Sequence, residues 1–492
     1  MPRRQWRPDL QLEPQPGNPD MAKLDIETAS LETIAETLRD GGTTAMTLAD
    51  WAIDNHERRG EAFHAYKTWD SDKLRTQAAA ADAVFAAGLD LGPLQGIPVS
   101  VKDLIGVSGY PIFAGCPRPL PEKWQADGPV VRAIRHQLRV ISGKSHTVQF
   151  AFGGMGFNQH WGAPRNPWDA DDHRAPGGSS SGAGVSLGEG SALLAIGSDT
   201  AGSVRIPACM TGHAGMRPTA GRWSTAGIVP LSSPLDTAGP LTRSAADLAL
   251  AFAAIDPLIT EDARAFTQRQ REATLADFHI GVCDWYFDGC EPGIAEGVKA
   301  ALDELVKQGL RTSPITLPHL DAVTEMFGQG GLHIGEFTSF MNDEMRDYKA
   351  DLDPTVAIRI AAAATFPASE HIDRLKAMDR MAPEANAAFA GFHAVVGPTL
   401  PITPPKMSDI ENPEAHLAAN FYCVRNTNTV SLLKLCAVTI PVALDAAGMP
   451  VGLQIVCPGG QEETALAIAM AFERTLGTPR ERLGVPPMCA AS

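Results

Sequence analysis

Three stretches of the chain carry the residue types that nucleophilic hydrolysis uses. The first is Gly177-Gly178-Ser179-Ser180-Ser181-Gly182-Ala183-Gly184. The second is Asp199-Thr200-Ala201-Gly202-Ser203-Val204-Arg205-Ile206-Pro207. The third, upstream, is Gly96-Ile97-Pro98-Val99-Ser100-Val101-Lys102-Asp103, an apolar run that ends in a lysine. Residues 153–202 hold 12 of the 46 glycines, more than twice an even share. Glycine takes positive φ and lets backbones approach closely, so this density marks irregular loops around a site. A serine hydroxyl is a weak nucleophile until a base accepts its proton. No histidine stands in the three stretches, so another group must be that base. A lysine withdrawn from water loses its preference for the charged form and becomes a base near neutral pH. Lys102 has the opposite strand parity to Ile97, Val99 and Val101. It either snorkels to the surface and pairs with Asp103, or points into a cleft.

Other chemistries fit less well. A phosphate-binding loop needs GxxxxGK[ST]; Gly143-Lys144-Ser145 has the right ending, but Leu138 stands in the first glycine's place. No complete GxGxxG occurs. Gly178–Gly182 matches the GxSxG elbow around Ser180, yet an elbow needs a strand before it, and Asp172–Pro176 does not read as one. The 13 histidines form no HExxH and no paired Cys/His spacing, so no metal and no cofactor is expected. The cysteines, Cys116, Cys209, Cys283, Cys290, Cys423, Cys436, Cys457 and Cys489, are scattered without a CxxC. They read as mostly buried, reduced thiols of a cytoplasmic protein.

The elements around these stretches alternate. Ser30 caps a helix through Leu38, ended by Gly41-Gly42; Thr47 caps a second helix, and Ser71–Ala87 is a third. Ile97–Val101, Val140–Ser142, Leu193–Ile196, Ile280–Cys283 and Ala394–Val396 read as strands. Gly128–Leu138, Ser244–Ile255 and Pro292–Gln308 read as helices. Thr439–Leu444 and Val451–Val456 pair around Ala446–Pro450, and a last helix runs over Glu462–Leu476. The alternation predicts an α/β fold with a central mixed β-sheet. His319–Ala390 is almost wholly helix-compatible and reads as a helical cap. Residues 1–20 hold five prolines and read as an exposed arm, which leaves 21–492 as one domain with its cap over 319–390.

Taken whole, the 492 residues are 44% hydrophobic and 20% charged, with a formal charge of −16. That composition is globular, and its acidity makes nucleic acid and anionic membranes poor direct partners. No apolar run approaches the ~20 residues a bilayer requires. Arg3-Arg4 is followed by polar, Pro-rich sequence instead of a signal core.

Together the three stretches resemble the amidase signature family of serine hydrolases. Supporting matches stand at Asn166-Pro167-Trp168, Gly215–Thr219, Leu235–Ser244, Pro441-Val442 and Gly452-Leu453-Gln454, so the resemblance runs from about Leu31 to Leu476. It implies a mixed sheet covered by helices on both faces. It also implies a Ser–cisSer–Lys triad in which Lys102 is the base, Ser179 the proton shuttle in a cis peptide, and Ser203 the nucleophile. The family interval between the two serines selects Ser179 over Ser180 and Ser181. The backbone N–H groups of Thr200, Ala201, Gly202 and Ser203 would hold the oxyanion, each such donor being worth ~3 kcal/mol. Ala201 stands where the family often has glycine, and Ser181 is a similar departure. Asp199 and Arg205 read as a brace of the loop.

The resemblance also extends to the glutamine-using subunits of tRNA-dependent amidotransferases. These need an acid for the ammonium of glutamine and an arginine for its carboxylate. Arg359 loosely matches that arginine, but the segment around Val424-Arg425-Asn426 has no aspartate. Met326, Met341, Met345, Met378 and Met381, with Phe327 and Phe337, form either an adaptable apolar pocket or ordinary core. The expected activity is therefore that of a stand-alone hydrolase of non-peptide C–N bonds. Its substrate would be a small neutral, largely apolar amide, anilide or carbamate (urethane). The alternatives are an inactive binding protein of the same fold and a glutamine-hydrolysing amidotransferase subunit. A homodimer is also open, and the motifs assign no substrate-binding residues.

Overall fold

Pro98–Lys102 and Leu194–Asp199 are buried at every position, as strands covered on both faces must be. They lie inside one sheet of a computed structural model that describes residues 24–363 and 367–490. The arm expected over residues 1–20 lies outside the described residues. The sheet has eleven strands: β1 (Tyr66–Trp69), β2 (Pro98–Lys102), β3 (Val140–Ser145), β4 (Leu194–Asp199), β5 (Ala214–Arg217), β6 (Thr237–Thr242), β7 (His279–Val282), β8 (Arg311–Pro314), β9 (Ala394–Pro398), β10 (Cys436–Leu444) and β11 (Pro450–Cys457). Their order is β1-β3-β2-β4-β6-β5-β10-β11-β9-β7-β8. β2 runs parallel to β3 and β4, β7 runs parallel to β8 and β9, and the intervening pairs are antiparallel. The fold is thus α/β with a mixed sheet and helices around it, as expected. All eight cysteines are free thiols.

Several strands run past the apolar stretches that announce them. β3 continues to Ser145, β4 to Asp199 and β2 to Lys102. Lys102 lies beside Ser145 in the register of β2 and β3. The polar ends of three parallel strands therefore meet at one edge of the sheet. The carboxyl ends of such strands are where open α/β sheets place their ligands.

Ser30 caps Leu31–Arg39 as expected, accepting the Thr33 N–H at 3.1 Å. The second helix, Ala45–Phe63, is capped by Thr44 and not by Thr47. Thr44 Oγ1 accepts the Thr47 N–H at 3.0 Å. The Asp82 carboxylate takes the N–H groups of Ala45 and Met46, so the helix starts three residues earlier than its local cap signal. Among the described residues, the segment 319–390 is largely helical, with Leu320–Gly328, His333–Asp343, Pro354–Ala363 and Ala368–Ala387.

The glycine–serine loop leads directly into the helix Ser181–Glu189. The first turn of that helix abuts the chain before β1 and the end of β3. A Cβ on Gly182 would stand 2.0 Å from the Ala65 carbonyl oxygen and 2.5 Å from the His146 nitrogen. Both are backbone atoms that cannot swing aside. Gly182→Ala is therefore expected to cost about 2 kcal/mol or more, seen as a lowered thermal midpoint; an unchanged midpoint would contradict this packing.

Candidate active site

Lys102 closes β2 and is fully buried. Its Nζ lies 2.8 Å from Ser179 Oγ and 2.8 Å from Ser198 Oγ. It does not pair with Asp103. That carboxylate faces Lys144, 3.6 Å away, and accepts the Phe113 N–H at 2.9 Å. Lys102 thus has hydroxyls where Lys144 has a carboxylate. Burial pushes Lys102 down to about 7, against the pull of the Asp199 and Asp236 charges.

The three serines of the loop have three different partners. Ser179 follows a cis peptide bond at Gly178–Ser179. Its carbonyl accepts from the Val148 N–H at 3.1 Å and from Thr147 Oγ1 at 3.0 Å, and its hydroxyl meets Lys102. Ser180, the centre of the formal elbow, donates its hydroxyl to the Ser198 carbonyl at 3.2 Å and its N–H to the Ser203 carbonyl at 3.4 Å. It ties the loop to β4 and to Ser203. Ser181 Oγ meets His146 Nδ1 at 2.9 Å. Burial holds His146 down to about 3, so it is neutral.

Ser203 sits in the turn between β4 and the helix Arg205–Met210. Asp199 organises that turn. Its carboxylate accepts from the N–H groups of Gly202 (2.8 Å) and Val204 (3.2 Å), from Arg205 Nε and Nη2 (both 3.1 Å), and from Arg217 Nη1 (3.0 Å). Burial alone would raise this carboxyl, but Arg205 and Arg217 outweigh it and hold Asp199 well below the usual carboxylate range. The Asp199–Arg205 pair is the brace expected of it. Gly202 has φ +138, and a Cβ there would stand 2.3 Å from Thr427 Oγ1. Ala201 has no positive φ, so its methyl is tolerated.

This geometry corrects one expectation. The Gly202 N–H is filled by Asp199 and is not available to an oxyanion. Among the described residues, the N–H groups of Thr200, Ala201 and Ser203 have no acceptor. Ser198 adds a further hydroxyl to the site; in the sequence it reads only as one more polar residue at a strand end.

Ser203, Thr200 and Ala201 line a cavity of about 70 Å³. Phe152, Leu231, Phe327, Phe421 and Val424 form its apolar walls, with Arg359, His333 and Asn420 as polar members. None of the five methionines lines it; all are buried in hydrophobic core. Phe337 stands behind the wall, against Phe150 and Phe152. The ordinary-packing alternative therefore holds for the methionines, while Phe327 faces the cavity. Among the described residues Arg359 reaches only the Phe152 carbonyl, at 3.4 Å, and lies over the Phe152 and Phe421 rings. Burial lowers it to about 10, with Asp353 opposing, so it stays charged at neutral pH. Arg425 lies outside the cavity, over Trp285 and Tyr422. Among the described residues no group of His, Cys, Asp and Glu is arranged to hold a metal ion, and no helix is long and apolar enough to cross a membrane.

Asp199→Asn would leave two buried guanidinium groups short of a charge partner. The expected cost is about 3–5 kcal/mol, read as a large drop in thermal midpoint or as insoluble protein. A variant as stable as the parent would contradict the brace.

Comparison with known proteins follows the same lines. The amidase family model matches residues 50–466. The 2-amino-5-chloromuconic acid deaminase of Comamonas testosteroni is 44% identical over 460 residues, covering 93% of this chain and 98% of that protein. A glutamyl-tRNA(Gln) amidotransferase subunit from Koribacter versatilis is 28% identical, covering 92% and 99%. A crystal structure of an amidase superposes with a TM-score of 0.81 at 28% identity, covering 91% of this chain and all of the other. A match of this extent settles the family: the chain belongs to the amidases and is an enzyme of small-molecule C–N bonds.

Proposed function

We propose that this amidase releases ammonia from a C–N bond of a small substrate that carries a carboxylate, using Ser203, Ser179 and Lys102. The observation that carries the reading is Arg359, a charged guanidinium that forms no ion pair among the described residues and feels only the more distant Asp353 charge, in the same small cavity as Ser203. A partly buried cation that has no ion pair gains when an anion meets it. The apolar walls keep the hydrocarbon character expected of the substrate, and Arg359 adds one anionic group to it. The Comamonas relative is named for a dicarboxylic acid that bears an amino group, which supports the same class here. An amide carbonyl accepts a serine oxygen and expels ammonia by the steps below. At an imine carbon the displaced π pair goes to nitrogen instead, and after ammonia leaves, water adds to the same carbon and Ser203 departs to give the ketone.

Neutral Lys102 accepts the Ser179 proton while Ser179 takes the proton of Ser203. Ser203 Oγ forms its bond to the substrate carbon, and the π electron pair moves onto the substrate oxygen. The N–H groups of Thr200, Ala201 and Ser203 stabilise that charge. As the pair returns, the C–N bond breaks, and the nitrogen leaves as ammonia with the proton relayed back through Ser179. Water then attacks the acyl carbon, and Ser203 regains its proton.

Glutamine fits this site poorly. Among the described residues the cavity lining has no Asp or Glu, and Val424 presents hydrocarbon. An α-ammonium group would be desolvated there without a counter-charge.

Two outcomes follow. Lys102→Met and Ser179→Ala should each lower kcat/KM at least ~100-fold. Only neutral Lys102 is active, so the wild-type value should be level above a pH of about 7 and fall roughly tenfold per pH unit below it. A Lys102→Met enzyme with wild-type turnover would remove the base. Second, ammonia release should be faster from mono-amides of short dicarboxylic acids, or from 2-aminomuconic acids, than from neutral amides or glutamine. Efficient glutamine hydrolysis, or activity that needs a tRNA-binding subunit, would favour the amidotransferase reading.

A further inference from the structure

His333 opens the helix His333–Asp343 and lines the cavity that holds Ser203 and Arg359. It is only 6% exposed. The imidazole is stacked on Phe327, with centroids 4.9 Å apart and planes 27° apart, and Phe152 lies 5.6 Å away. The rings hold the imidazole in place without satisfying its nitrogens. Nδ1 is sealed against Gly331 and has no hydrogen-bond partner. Nε2 has no partner among the described residues either, and it is not sealed. A buried polar ring with empty nitrogens is unfavourable, and Nε2 is the one a ligand can reach.

Arg359 needs help of the kind His333 can give. Its Nε is sealed without a partner, and its Nη1 is turned to the Phe152 carbonyl. Nη2 is the donor left with neither a seal nor a partner among the described residues. A carboxylate has two oxygens, and this guanidinium does not present its side-on fork to them. The Phe152 ring lies 5.4 Å from the Arg359 guanidinium and 5.6 Å from the His333 ring, so a ligand filling this small cavity meets both residues. Burial, with the Arg359 and Arg374 charges, holds His333 down to about 3. At neutral pH it is one donor and one acceptor, not a second cation.

We propose that His333, through Nε2–H, donates a hydrogen bond to the substrate carboxylate that Arg359 anchors, and so determines specificity for carboxylate-bearing substrates. This inference rests on the carboxylate reading above. Its substrate class is an acid with one carboxylate a short hydrocarbon span from the reacting carbon.

The test compares the best mono-amide of the dicarboxylic series with its methyl ester, both followed by ammonia release. The enzymes are wild type, His333→Phe, His333→Gln and Arg359→Met. The ratio of kcat/KM for acid over ester should fall at least about tenfold in His333→Phe, as for a lost hydrogen bond to a charged group. The loss should appear in KM, and His333→Gln, which keeps a donor, should recover most of it. His333→Met serves in the same assay if the phenylalanine variant does not fold. An unchanged ratio, or an equal loss on acid and ester, would overturn the role of His333. A ratio that Arg359→Met abolishes and His333→Phe leaves intact would remove His333 alone. A wild type that prefers the ester would overturn the carboxylate reading and this inference together.

Discussion

One lysine taken out of water without a carboxylate beside it is the constraint on which the site depends. β2 and β3 place two buried lysines on neighbouring strands, with Lys144 in register with Val101 and Lys102 with Ser145. Lys144 has Asp103 and the Ile105 carbonyl. Lys102 has the hydroxyls of Ser179 and Ser198. A carboxylate stabilises only the ammonium form. A hydroxyl can accept from the ammonium or donate to the amine, so it serves both protonation states. Desolvation then decides, and it places Lys102 at about 7, where a proton can move either way. The same residue type one strand away is a structural tie.

A second constraint keeps that balance. Asp199 lies close enough for its charge to act on Lys102. Its oxygens, however, are filled by Arg205, Arg217 and two backbone N–H groups of the Ser203 turn. One carboxylate therefore shapes the nucleophile's turn and is kept from capturing the base. Arg205 continues outward to Gln454 on β11 and to the Thr427 carbonyl. The turn is anchored to the antiparallel half of the sheet as well as to β4.

Much of this was legible in the sequence. The run Ile97–Val101 ends in a lysine because the strand carries that lysine into the core, and the density of glycine reflects close approaches such as Gly182 against Ala65. What stayed hidden depends on contacts distant in the chain. Asp82 moves the start of a helix from Thr47 to Thr44. Ser198 gains its meaning only from Lys102, on another strand. The Gly202 N–H looked available because nothing local shows that Asp199 folds back onto it. The methionines of the helical segment read equally as pocket or core, since helical spacing does not say which face meets a ligand; they are core, and Arg359 and His333 supply the polar wall.

The most direct measurement of the central claim is covalent labelling of the intact chain with a fluorophosphonate, with the adduct located by mass spectrometry across a pH series. The account predicts a single adduct on Ser203. Its rate should rise with pH through about 7 in the wild type and collapse in Lys102→Met, because the thermodynamic drive to activate the serine comes from that amine. An adduct on another serine, or labelling of Ser203 at the wild-type rate without Lys102, would contradict it.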